Sequence, residues 1–141
     1  MRSVRSYGHI LKRALYLGML VPLLSGCLLM SGPRESADRA TDGGNVRVDF
    51  ISAEGTETRH VQAADGPTKL ALIVSAQVER GQLRIVMLNP QGAQVLVLEG
   101  TPEQHVAQVV VPTDDKGNLT YRIQATGAHH GGFEILYQPA E

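Results

Sequence analysis

The chain has 141 residues, with 13 Lys or Arg against 14 Asp or Glu, a single Cys and no Trp. That length suits one globular domain, and the scattered basic residues exclude the concentrated basic face a nucleic-acid binder needs. One cysteine excludes an internal disulfide framework and a cysteine-built zinc site.

In chain order, Arg2, Arg5, Lys12 and Arg13 come first with no acid among them. An apolar run over residues 14–24 follows, broken only by Gly18 and Pro22. Small residues, Ser25 and Gly26, then precede Cys27. A basic head, an apolar middle and a small-residue end are the three parts of an export signal. Leu24-Ser25-Gly26-Cys27 resembles the lipobox of bacterial lipoprotein signals at all four positions. The resemblance implies cleavage between Gly26 and Cys27, acylation of Cys27 and a membrane anchor through its acyl chains. Each buried methylene contributes about 0.8 kcal/mol, so two or more chains hold stably where one holds marginally. Leu28 follows the cysteine, not the Asp associated with inner-membrane retention. The implied location is therefore the cell envelope: the periplasmic face of an outer membrane where the cell has one, otherwise the outer face of the cytoplasmic membrane. An uncleaved signal anchor and an ordinary cleaved signal remain as alternatives.

Cleavage before Cys27 leaves nine basic and fourteen acidic residues, a net charge of −5. Residues 27–45 read as the lipidated cysteine and a flexible tether, since Ser31 to Asn45 is rich in Ser, Gly, Pro and charge. As free chain it would reach on the order of 25 Å.

From Val46 the texture changes to short apolar runs separated by Gly, Pro, Asn and Asp. Strands are expected at 46–53, 56–63, 69–78, 82–89, 94–99, 104–111, 119–126 and 132–138. The fold class is all-β: a single antiparallel, jelly-roll-like β-sandwich of about eight strands over residues 46–141. Leu119, Tyr121, Ile123 and Ala125 alternate with polar residues, as do Leu70, Leu72, Val74, Ala76 and Val78 with their neighbours, so both rows face inward. The continuous apolar runs 95–98 and 109–111 suit strands covered on both sides. Phe50, Tyr121, Phe133 and Tyr137 fall mostly on inward positions. Leu88-Asn89-Pro90-Gln91-Gly92, the stretch from Gly117 to Gly127 and Gly132-Phe133-Glu134-Ile135 are similar to the turn and strand motifs of pre-peptidase C-terminal β-sandwich domains. That resemblance implies an accessory module. Met87, Leu88 and Asn89 stand where that family has acids, so no metal role carries over.

No residue set stands out for catalysis. There is no Gly-x-Ser-x-Gly elbow, no phosphate loop and no paired-ligand metal spacing. His129-His130, between Gly127 and Gly131, are the candidate binding residues, in what reads as the last hairpin loop. Adjacent residues on extended backbone point opposite ways, which makes them a poor chelate. Asp114-Asp115-Lys116-Gly117-Asn118 reads as turn chemistry before calcium ligation. The expectation is a non-enzymatic, membrane-anchored binding or accessory module. It needs no cofactor or metal, binds no nucleic acid and meets another envelope protein or a peptide along a sheet edge. The alternative is a small metal-dependent or hydrolytic enzyme joining His129 or His130 to Asp114 or Asp115, or a metal-binding envelope protein. It requires those side chains to converge.

Overall fold

A computed structural model describes residues 27–141, and the expected signal segment 1–26 lies outside them. Seven strands form one antiparallel sheet: β1 (Leu29–Ser31), β2 (Arg34–Ala40), β3 (Gly43–Gln62), β4 (Lys69–Leu88), β5 (Gln94–Glu99), β6 (His105–Pro112) and β7 (Asn118–Pro139). The central path is β1-β3-β7-β4-β5, with β2 added on β3 and β6 on β4.

Three of these strands are 20 to 22 residues long. Straight, each would extend roughly 65 to 75 Å, far beyond a domain of this size, so each bends. The rings of Tyr121 and Phe133, twelve residues apart on β7, meet edge-to-face with centroids 5.8 Å apart. Twelve residues of straight strand would separate them by about 40 Å, so β7 has turned back over itself. The sheet thereby becomes the two layers of a sandwich. One layer holds β2, the first halves of β3 and β4, the second half of β7, and β6. The other holds the second halves of β3 and β4, the first half of β7, and β5.

The all-β expectation holds, and six of the eight expected strands are joined in pairs. Glu54-Gly55, Arg80-Gly81 and residues 127–131 are not hairpin turns. They are bends inside β3, β4 and β7, where the register shifts at Ala53/Gly55 and Arg80/Gln82. A bulge keeps hydrogen bonding on both flanks while sharpening the twist. Gly81 is what allows it: its φ is +81°, and a Cβ there would overlap the Gly127 carbonyl. The final expected loop is thus continuous β structure, with His129 paired to both Ser52 and Arg80.

The segment expected as a flexible tether is also corrected. Leu29–Ser31 pairs with Ser52–Glu54, and Arg34–Ala40 pairs with Gly43–Asp49 across the turn at Thr41-Asp42. All of β2 is exposed. Backbone hydrogen bonding, which depends little on side-chain type, recruits this polar stretch as an edge strand.

Between the layers lie both expected rows: Leu70, Leu72, Val74, Ala76 and Val78 of β4, and Leu119, Tyr121, Ile123 and Ala125 of β7 are buried, as are Phe50, Phe133 and Tyr137. The runs 95–98 and 109–111 are not covered on both sides. Leu98 and Val111 are buried, whereas Val95, Val97 and Val110 are exposed, because β5 and β6 are edge strands with only one covered face.

Candidate functional site

Cys27 is exposed and begins the described chain. Its carbonyl lies against Gly55, where a Cβ would overlap it, and Gly55 has a φ of +109°. Leu28 packs against the core and Met30 beside it. The cysteine therefore stands at one end of the sandwich, over the bends of β3 and β7, with only Leu28 between it and β1. At this end Leu29, two residues on, is 70% exposed, and Ile51, whose side chain lies against Gly32, 53%. The same end holds a hollow of about 360 Å³ lined by Ser31, Ser52, Glu54 and His129. The Ser31 and Ser52 hydroxyls share a 2.6 Å hydrogen bond, and Glu54 Oε2 accepts the Gly127 N–H at 2.6 Å. These residues are spread over nearly a hundred positions of sequence, so no local motif joins them.

The two candidate histidines part company. His130, at φ +49°, lines a second hollow of about 340 Å³ with Asp49, Glu79 and Gln104 on the outer face of the first layer. His129 opens on the end hollow. The two side chains thus line different hollows.

Asp114 and Asp115 lie at the other end, in the turn before β7. Asn118 and Thr126 bound a straight stretch of about 26 Å between that turn and the bend. The histidine–aspartate constellation required by the enzymatic alternative is therefore not assembled. Asp114 instead organises its own turn. Oδ1 accepts the N–H groups of Lys116 (2.9 Å) and Asn118 (2.8 Å), and Oδ2 accepts the Asn118 side-chain amide (3.0 Å). Hydrogen bonds from the backbone and then the side chain of Asn118 hold its carboxyl below the usual carboxylate range. Among the described residues, no three His, Cys, Asp or Glu side chains gather where they could hold one metal ion.

Two features unmarked in the sequence emerge. The outer face of the first layer carries a groove of about 850 Å³ at the end remote from Cys27. Its floor includes Ala71, Ile73, Val110 and Leu136, and Asp38 and Arg39 are on its rim. Ile73, Leu136, Val106 and Val110, each 41 to 55% exposed, belong to this face. Phe50, Tyr121, Phe133 and Tyr137 are all buried, so among the described residues no Phe or Tyr ring is exposed for a sugar or base to stack on. The second feature is an ion network between the layers on the β2 side. Arg59 donates to Glu57 Oε2 at 2.8 Å and to Glu35 Oε1 at 2.9 Å. Partial burial works against the charge on Arg59. The two carboxylates more than offset it, raising its pKa.

No family model matches the sequence, that of the pre-peptidase C-terminal domain included, and no curated protein is similar to it. Solved structures are similar at low identity. A carbohydrate binding module from Cellvibrio mixtus lichenase 5A, in complex with cellotriose, is 16% identical, with 80% of this chain and 91% of that one covered and a TM-score of 0.40. TmCBM61 in complex with β-1,4-galactotriose is 15% identical over 79% and 90%, with a TM-score of 0.43. A family 35 carbohydrate binding module from Clostridium thermocellum is 15% identical over 78% and 89%, with a TM-score of 0.38. At such scores no ligand or role passes from these modules to this chain.

Proposed function

We propose that this chain is an acyl-anchored envelope lipoprotein whose sandwich is a non-catalytic binding module. The observation that supports it best is the placement of Cys27. The lipobox cysteine is exposed and lies at the opposite end of the first layer from the apolar groove. An anchor there holds one end of the sandwich to the membrane and leaves the groove face turned to the envelope space.

The groove supports a polypeptide partner. An apolar floor within a polar rim is the anatomy of a protein interface, and no Phe or Tyr ring among the described residues is exposed as the stacking platform a sugar site favours. The test is Cys27→Ala in the native host. The full chain should partition into detergent and yield a mature N-terminal peptide carrying acyl mass on Cys27. The variant should stay unprocessed and unacylated. A Cys27→Ala protein still trimmed before residue 27 and still held by detergent would sink the anchor.

A further inference from the structure

The free edges of the sandwich are unequally protected. On one side lie β2 and the second half of β3. Four of the seven residues of β2 are charged (Arg34, Glu35, Asp38 and Arg39), and Glu35 crosses the layers to Arg59, itself paired with Glu57. Charges on an edge strand, above all inward-pointing ones, are how proteins prevent another strand from adding to it. On the other side lie β5 and β6. His105–Pro112 contains no Asp, Glu, Lys or Arg, runs in unbroken register along β4 for eight residues, and exposes Val106 and Val110.

The free backbone groups of β6 can be named. Thr113 N–H bonds the Thr68 carbonyl at 2.8 Å, in the register that pairs β6 with β4. Antiparallel alternation then gives Val111, Val109, Ala107 and His105 their bonds to β4. Val106, Gln108, Val110 and Pro112 turn their backbone polar groups outward. Pro112, with no N–H to lose, sits where none is needed for the β4 ladder. Three N–H donors and four carbonyls therefore line an uncharged edge, beside a groove whose lining includes Gln108 and Val110.

We infer that β6 is a strand-acceptor edge: it binds an extended segment of a different polypeptide, which adds to the sheet and lays alternate side chains onto the Val106–Val110–Ile73 face. The unpaired backbone calls for a strand, and the apolar floor for alternate apolar side chains. A second copy paired antiparallel is opposed by the anchor, and this step rests on the lipoprotein reading. His105 lies at the Cys27 end of the layer and Pro112 at the other, so antiparallel pairing of two β6 edges would place the two Cys27 anchors at opposite poles. One membrane cannot hold both.

The test uses the full chain in its native cells, with p-benzoylphenylalanine replacing Val106 or Val110 and, as controls, Arg34 or Ser36 on β2. Light should yield an adduct from β6 positions to one other polypeptide, with the crosslinked peptide identified by mass. Adding Gln108→Pro removes an outward N–H and leaves the β4 ladder intact. Adduct should fall about ten-fold, the loss of roughly 1.4 kcal/mol of pairing, with the melting temperature unchanged. Val110→Lys gives the same reading should Gln108→Pro fail to fold. No adduct, equal adduct from β2, an adduct to a second copy, or yield indifferent to both substitutions overturns the inference. Acyl mass on Cys27, read from the same cells, tests the anchor separately.

Discussion

Asp114 shows how one carboxylate can serve structure where a ligand role was conceivable. Each of its oxygens accepts a hydrogen bond within its own turn, so the ionised form is held by the fold. The sign follows from the depressed pKa. The stabilisation is complete above the ordinary value of 3.8 and disappears as pH falls through the lower folded value. Protection of the Lys116 and Asn118 amides against hydrogen exchange, relative to their intrinsic rates, should therefore fall below about pH 3.8, and Asp114→Asn should flatten that dependence. Protection of those amides that is unchanged by acid would refute the role. This much was legible, because Asp, Gly and Asn in a five-residue stretch specify a turn locally. The partners of His129 and His130 were not, since Ser52, Arg80, Asp49 and Glu79 reach them only through the sheet.

At the scale of elements, inward alternation on β4 and β7 was readable because side chains alternate with period two whatever the strand pairs with. Whether a glycine reverses a chain or bends it was not readable. Gly55, Gly81 and Gly127 interrupt apolar rows as hairpin turns would, yet neighbouring strands keep pairing through them. The exposure of Val95, Val97 and Val110 has the same origin, for an edge strand and a central strand can share one apolar run. The β2 side closes through Arg59, which also separates the guarded edge from the open one. Arg59→Met should cost about 1 kcal/mol, a modest value because Glu35 and Glu57 remain roughly half exposed. A double-mutant cycle with Glu35→Gln, followed by urea denaturation, measures the coupling. Additivity within error would show the pair is energetically silent.

For the whole molecule, pairing of β1 and β2 replaces a stand-off of about 25 Å with a single intervening residue, Leu28, so an acyl anchor at Cys27 would hold the sandwich end-on against the bilayer. Leu29 and Ile51 are exposed apolar side chains at the same end of the sandwich. The chain has no Trp, so Leu29→Trp or Ile51→Trp gives a clean reporter in brominated-lipid vesicles. Emission should drop by about half at these positions, consistent with a depth of 5–10 Å in the headgroup region, and not for Val110→Trp in the distal groove. Equal quenching at all three, or none, would refute the end-on orientation. The order of residues was sufficient for the turn chemistry and the all-β class, because each depends on near neighbours in the chain. The two-layer folding of one sheet, the strand pairing of the presumed tether, the separation of the histidines from Asp114 and the contrast between charged and uncharged edges were settled in three dimensions. Each depends on which strands lie side by side, and strand register joins residues from tens of positions apart through backbone groups that every sequence shares.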